Sequence, residues 1–284
     1  MHINANTQYL GLFGYPVAHS LSPLLHNYIL QKMSCNCIYL PFAIPGEQLK
    51  GAVNAIRSLN FRGVNVTIPH KEAVIPYLDD ISPEAAACGA VNVICNENGD
   101  LRGYNTDGTG FIASLQEAEV SVQGRALFIG AGGAARSLAV SLVAKGISEL
   151  DFIDIDLQRA QALVSLLALS SKVSAGAHLM SAEKFTELAR LSSIIINCTP
   201  VGMNPETDKS PVATLDMLQP ETVVCDIIYN PLNTSFLAMG QARGLKTING
   251  LSMFVHQAAL SLEIWLGIKP PLQLMKEVLL RDLA

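Results

Sequence analysis

Charge is scarce in this 284-residue chain: Asp, Glu, Lys and Arg together supply 15% of it, against roughly 25% in an average globular protein. With hydrophobic residues at 50%, that scarcity excludes intrinsic disorder, which needs high charge and low hydrophobicity. Long apolar runs are missing too. No stretch approaches the roughly 18 uncharged apolar residues of a spanning helix, and the segment ALFIGAGGAA is short, Gly-rich and closed by Arg136. The apolar surplus points instead to a soluble protein with strands buried on both faces, as in a parallel sheet flanked by helices. Positive charge is in deficit, the net being −5, so no electrostatic footprint for nucleic acid or a membrane surface exists. Cys35, Cys37, Cys88, Cys95, Cys198 and Cys225 lack CxxC spacing and are expected to be reduced, half-buried small hydrophobes. The histidines show no HExxH pairing, so no metal site is expected. No export leader is read at the N-terminus, which makes the cytoplasm the expected compartment.

Short apolar strands alternate with helical stretches along most of the chain. YLGLF (9–13) and CIYLPF (37–42) read as strands on either side of SPLLHNYILQK, whose Leu24, Leu25, Tyr28 and Ile29 carry helical spacing. GVNVTIPHK reads as a buried strand stopped at Pro69, and AVNVICNENGDLRGYN as a hairpin with a turn at Asn96–Asp100. From residue 125 the rhythm is strand then helix: ALFIG, a helix from about Ala134, LDFIDI, a helix from about Leu157, SIIINC and TVVCDII. Repeated βαβ units imply a parallel sheet with right-handed crossovers. After KTING the pattern turns helical through AALSLEIWLGI and LQLMKEVLLRDLA. These final helices have no strand partners of their own and are expected to pack back on the first domain. The organisation predicted is an α/β domain of residues 1–108 and 250–284, made discontinuous by a doubly wound, Rossmann-like parallel-sheet domain of residues 109–249. A ligand cleft is expected between two such domains.

Gly130, Ala131, Gly132, Gly133, Ala134 and Ala135 follow a predicted strand and open a predicted helix. That is GxGxxA, the dinucleotide fingerprint: a tight turn at Gly130, close backbone approach to a pyrophosphate at Gly132, and close helix packing at Ala135. The free N–H groups and positive dipole end of the helix suit phosphate. Asp154 ends the next strand near the spacing expected of a carboxylate that binds the adenosine ribose. Asp156, just beyond, reads as the cap of the following helix.

Other polar clusters lie in the first domain. In His19-Ser20-Leu21-Ser22-Pro23, Ser22 reads as an N-cap with proline at the first helical position, which leaves the Ser20 hydroxyl for a ligand carboxylate. Asn65 and Thr67 are spaced to share a strand face, and Lys71 emerges just past the strand. Asp107 sits in the Gly-flanked turn NTDGTG, where a helix cap is an equally good reading.

Taken together, GYPVAHSLSP, NVTIPHK, GAVN, NTDGTG, GAGGAAR, NCTPVGM, DIIYNP and GLSMFVHQA resemble the shikimate/quinate dehydrogenase family, in the family's order and over essentially the whole chain. The resemblance implies hydride exchange between a nicotinamide cofactor and C3 of the shikimate/3-dehydroshikimate ring, in chorismate and aromatic amino acid metabolism. Lys71 and Asp107 match the family's acid/base dyad: an ammonium can hold and protonate the developing alkoxide, and the same group serves as base in reverse. By the same matching, Ser20 and Ser22 would hold the substrate carboxylate, with Tyr229 nearby. Thr67, Asn92 and Gln257 would hold the ring hydroxyls. Thr199, Met203 and Gly250 would line the nicotinamide side, and His70 would be structural.

One departure bears on the cofactor. Biosynthetic members of the family carry Asn-Arg-Thr after the second cofactor strand, where the Arg meets the 2′-phosphate of NADP. Aligned on Arg159-Ala160, this chain has Asp154-Ile155-Asp156. An aliphatic side chain flanked by carboxylates favours NAD, with NADP the alternative because Arg136 could reach a phosphate from the Gly-rich turn. The paired serines fit shikimate, and quinate is a further candidate substrate. A monomer or homodimer is expected. A non-catalytic dinucleotide sensor on the same scaffold is the reading from another class, and an intact dyad argues against it.

Overall fold

The computed structural model describes residues 3–121, 123–170 and 173–283. Two compact units divide the chain: one holds everything up to Thr106 together with Val255–Asp282, the other Asp107–Phe254. The border thus falls between Thr106 and Asp107, two residues earlier than the expected end of the first segment at residue 108.

In the first unit the elements run β1 (Gln8–Gly14), α1 (Ser22–Lys32), β2 (Cys37–Ala43), α2 (Leu49–Ser58), β3 (Phe61–Val66), β4 (Asp80–Ile81), α3 (Pro83–Cys88), β5 (Val93–Glu97) and β6 (Asp100–Tyr104). They build a six-stranded mixed sheet in the order β2-β1-β3-β5-β6-β4. The β5–β6 hairpin turns on Asn98 and Gly99, both at positive φ, the backbone that a two-residue hairpin loop requires. Helix α2 buries Leu49, Val53 and Ile56, which its 3.6-residue period places on one face. Helix α3 has its start and stop written in sequence: the Ser82 hydroxyl accepts from Ala85 N–H, Pro83 opens the first turn, and Gly89 is left-handed at the end.

Two expectations are corrected here. Leu21, not Ser22, caps α1, because the Leu21 carbonyl already accepts the first helical bond, from Leu25 N–H. Ser22 is itself helical and buried, and Ser20 Oγ takes the Ser22 N–H at 3.2 Å. Strand β3 ends at Val66, so Thr67 lies just past the strand rather than on a strand face with Asn65. The Thr67 N–H still reaches the Phe13 carbonyl at 2.8 Å before the chain turns at Pro69.

The second unit runs α4 (Asp107–Glu117), β7 (Arg125–Ile129), α5 (Gly133–Ala144), β8 (Glu149–Asp154), α6 (Leu157–Ser170), β9 (Ser174–Leu179), α7 (Ala182–Ala189), β10 (Ile194–Asn197), β11 (Val223–Asp226), α8 (Ser235–Ala242) and β12 (Lys246–Ile248). Its sheet is wholly parallel, in the order β12-β11-β10-β7-β8-β9. That is the doubly wound order, reversing direction between β7 and β10. Both faces are covered, which is why β7, β10 and β11 are nearly continuous apolar runs. One face packs Phe128 on Phe152 with ring centroids 4.9 Å apart, under α5 and α6; the other packs Ile129, Ile195 and Val224 under α7 and α8. Each fully buried ring contributes about 1.5–3 kcal/mol.

Helix α9 (Leu251–Leu266) leads back into the first unit and α10 (Leu272–Leu283) follows; the helical reading through Ala284 runs one residue beyond those described. Trp265 fixes α9 to the first sheet: its Nε1 donates to the Ile94 carbonyl at 2.9 Å, and its ring occupies the space a side chain at Gly63 would fill. Among the described residues no helix is long and apolar enough to cross a membrane, and all six cysteines are free.

Candidate active site

The substrate-side residues of the first unit hang on two sheet ends. After β1, the chain bends so that Ser20 N–H donates to the Val17 carbonyl, and Ser20 Oγ in turn accepts from Ser22. Both hydroxyls therefore sit in one turn at the start of α1. Thr67 is half-buried, and its methyl occupies the space directly over Gly14, where any Cβ would collide with it. Lys71 follows in the next turn. Its carbonyl accepts from Val91 N–H at 2.8 Å, which ties the lysine's backbone to the strand end carrying Asn92. His70 is buried, with Nε2 donating to the Ile44 carbonyl at 2.6 Å, so its ring is committed to the fold.

Asn92 is held from both ends of its amide. Nδ2 donates to Thr106 Oγ1 at 2.9 Å, and Oδ1 accepts from the Thr106 N–H at 2.8 Å. Thr106 Oγ1 also reaches the carbonyl of Gln257 on α9 at 3.3 Å. Asn65 belongs to the same buried set: it accepts from the Tyr39 hydroxyl at 2.8 Å and donates to Ser261 Oγ at 3.0 Å and to the Asn92 carbonyl at 3.2 Å. Thr106 and Asn65 thus brace Asn92, and Thr106 also holds the Gln257 backbone, a role their motifs did not disclose. Asp107 is the first residue of α4, buried, and belongs to the second unit.

The Gly-rich turn of the second unit follows β7 at the sheet's reversal point. Gly130 adopts φ +94°, and a Cβ there would lie 2.9 Å from the Thr199 methyl, so both conformation and space require glycine. Gly132 has nothing within 4 Å of its Cβ position and precedes α5, whose N-terminus has no side-chain cap. Open space over uncapped helix N–H groups at Gly133 and Ala134 is a cradle of the kind that takes phosphate. Asp154 is 8% exposed. Its Oδ2 accepts from Ala131 N–H at 2.7 Å and its Oδ1 from Asp156 N–H at 2.8 Å, so it also braces the turn. Asp156 accepts from Gln158 N–H at 3.0 Å as the cap of α6 and pairs with Arg159 at 3.5 Å. Ile155 stands between them, 86% exposed.

Thr199 follows β10; its N–H and hydroxyl donate to Asn197 Oδ1 at 3.0 and 2.7 Å. Met203 is exposed on the same segment. Tyr229 stacks on Phe254, centroids 4.4 Å apart and planes 10° apart. Gly250 donates to the Ile228 carbonyl at 2.9 Å, and the Ile227 carbonyl fills the space its side chain would need, a packing reason for glycine that holds with or without a ligand. Asp226, at the end of β11, is buried; burial pushes its carboxyl up to about 6, against hydrogen bonds from Ile228 N–H, Thr234 and Asn197 that favour the ionised form. Among the described residues, no three His, Cys, Asp or Glu side chains gather as a metal site.

Comparison with known proteins covers both units. The family model "shikimate dehydrogenase substrate binding domain" matches residues 12–94, and "shikimate 5'-dehydrogenase C-terminal domain" matches residues 250–280. The chain is 56% identical over 283 residues to a shikimate dehydrogenase (NADP(+)) of Syntrophomonas wolfei, covering 100% of this chain and 98% of that one. A shikimate dehydrogenase solved in complex with NADP+ superposes with a TM-score of 0.90 at 36% identity, covering 100% and 98% of the two chains. Shikimate 5-dehydrogenase from Listeria monocytogenes, solved with shikimate and NAD, gives a TM-score of 0.89 at 34% identity over 98% of each chain.

Proposed function

The chain belongs to the shikimate dehydrogenase family, and from that premise we propose that it interconverts 3-dehydroshikimate and shikimate, with Lys71 and Asp107 as the proton-handling pair. The dinucleotide supplies or accepts the hydride. Ketone reduction builds negative charge on the C3 oxygen. The Lys71 ammonium holds that charge and delivers the proton, and in the oxidative direction the same nitrogen takes it back. Asp107 accepts from a hydroxyl of the substrate ring. Ser20 and Ser22 donate to the substrate carboxylate. Thr67, Asn92 and Gln257 bind the ring hydroxyls, Asn92 on the bracing of Thr106, and Tyr229 matches the family tyrosine near the carboxylate. The observation that carries the cofactor half is the reversal of strand order between β7 and β10, where Gly130 meets Thr199 beside an uncapped α5.

Gly130, Ala131, Gly132, Gly133 and Ala134 would cradle the pyrophosphate, Asp154 the adenosine ribose, and Thr199, Met203 and Gly250 the nicotinamide end. For the form of the cofactor, Ile155 flanked by Asp154 and Asp156 supports NAD, since a 2′-phosphate would meet two carboxylates there and the neighbouring cation, Arg159, is already paired with Asp156. The Syntrophomonas relative's name specifies NADP(+), and Arg136 in the first turn of α5 is the group through which NADP would be accepted. Steady-state kcat/KM for shikimate and quinate against NAD and NADP tests both halves. Shikimate-dependent reduction is expected, faster with NAD, with Lys71→Ala slower by about 10²- to 10⁴-fold in kcat. Equal turnover in Lys71→Ala removes the lysine from the chemistry, and a tenfold preference for NADP overturns the reading of the Asp154–Asp156 loop.

A further inference from the structure

In the second unit, the segments after β10 and β11 share one buried chain of hydrogen bonds. Asp226 is its origin: Oδ1 accepts from Ile228 N–H at 3.1 Å and from Asn197 Nδ2 at 3.1 Å, and Oδ2 accepts from the Thr234 hydroxyl at 2.8 Å. An ionised carboxylate only accepts, so it makes the Asn197 amide turn its NH2 group inward. The Asn197 oxygen then faces the opposite way, where it takes both the N–H and the hydroxyl of Thr199. With its proton committed there, Thr199 Oγ1 accepts from Val201 N–H at 3.2 Å, and the Thr199 methyl rests against Gly130.

We infer that Asp226 is a positioning residue for the dinucleotide: through the Asn197 amide it sets the direction of the Thr199 side chain, and with it the wall beside the Gly130 turn. The inference rests on the reading of Thr199 as part of the dinucleotide site. A carboxylate is otherwise a costly residue to bury, and burial does raise its pKa; an apolar side chain would serve the core better. Its second contact runs the same way. Ile228 N–H immediately precedes Tyr229, whose ring lies flat on Phe254, so one carboxylate fixes the departure of both segments from the sheet.

The test is the Kd of the reduced dinucleotide, read from its own fluorescence, in Thr199→Val, Asp226→Leu, Asp226→Asn and the Thr199→Val/Asp226→Leu pair, with far-UV circular dichroism confirming the fold. Thr199→Val and Asp226→Leu are each expected to weaken binding about 3- to 10-fold, the range of one hydrogen bond. Cutting the same chain twice adds no more than about twofold beyond either single change. Asp226→Asn keeps an acceptor oxygen for Asn197 and Ile228 and should stay within about threefold of the parent. Asn197→Ala reads the next link if Asp226→Leu does not fold, and the same weakening is expected of it. Multiplicative losses in the pair, Asp226→Asn as damaging as Asp226→Leu, or parental binding in Asp226→Leu or Asn197→Ala beside a weakened Thr199→Val each remove the relay alone. Parental binding in Thr199→Val removes the assignment of Thr199, and the relay with it.

Discussion

His26 gives the fold an acid weakness whose size follows from its surroundings. The residue lies in α1, 0% exposed, and neither ring nitrogen has a hydrogen-bond partner among the described residues. Its ring stacks on Tyr39 at 4.3 Å and leans on Trp265 at 5.8 Å. A site with no partner for an N–H cannot hold a cation, and burial lowers the pKa from 6.5 to about 3. Because the folded value is the lower one, the unfolded chain takes the proton first as pH falls. The stabilisation is therefore whole above about pH 6.5 and drains as the pH falls toward 3. Between pH 7 and pH 5 the linkage amounts to about 2 kcal/mol. His26→Phe preserves the ring stack and removes the titration; any repacking cost is common to both pH values and cancels. Urea unfolding followed at Trp265, the only tryptophan, should show the parent losing about 2 kcal/mol more than His26→Phe over that interval. Parallel pH dependences in the two proteins would refute the reasoning.

Asp226 works with the opposite sign. Its folded pKa of about 6 lies above its ordinary 3.8, so the protonated folded state is favoured and stability is lost as pH rises through 6. Asp226→Asn, unfolded by denaturant at pH 7 and 5, should therefore lose roughly 1 kcal/mol more than the parent on acidification; a change equal to the parent's would place the carboxyl near its ordinary value. Asp154→Asn leaves one of two backbone N–H donors, Ala131 in the Gly-rich turn or Asp156 in the loop after β8, facing an NH2 group. We expect KM for NAD and NADP to rise together, about tenfold, with the ratio between them little altered; a change confined to one cofactor would contradict the bracing role. Ile155→Arg should do the reverse, raising kcat/KM for NADP about tenfold or more by offering the 2′-phosphate a cation while leaving NAD nearly unaffected, and no gain with NADP would show that this loop does not face the phosphate.

The second unit was the more legible of the two because its sheet is buried twice over. Ile194–Asn197 and Val223–Asp226 carry continuous apolar runs, and those runs were readable as strands without any knowledge of their neighbours. Strand β9, SAGAHL, escaped the reading for the same physical reason in reverse: it is the sheet's outer strand, only half-buried, and shows neither a run nor an alternation. The hairpin at Asn98-Gly99 was legible because a positive-φ turn demands those residue types locally. The start of α1 was not. Ser22-Pro23 satisfies the usual cap pattern, yet the preceding turn lets Leu21 accept the first helical bond and hands the capping oxygen to Ser20.

Site residues divide along a similar line. Lys71, Asp107, Thr67 and the Gly-rich turn sit in contiguous motifs, so a reader of the chain meets them already grouped. The groups that orient them do not. Asn197 and Asp226 are 29 residues apart and meet because the adjacent strands β10 and β11 end side by side, and Tyr39 and Asn65 are 26 apart and meet across the intervening β1; no local spacing encodes either meeting. Asp154 stands between the two cases. Its distance from Gly130 is the spacing expected of a ribose carboxylate, and in the fold both its oxygens accept backbone N–H groups, from the turn and from the loop after β8. Each carboxylate oxygen has a second lone pair, so bracing the turn and meeting a ribose are compatible. What the geometry adds is a second duty for this carboxylate, shaping the turn, whereas Ile155 on the same loop is exposed and carries none.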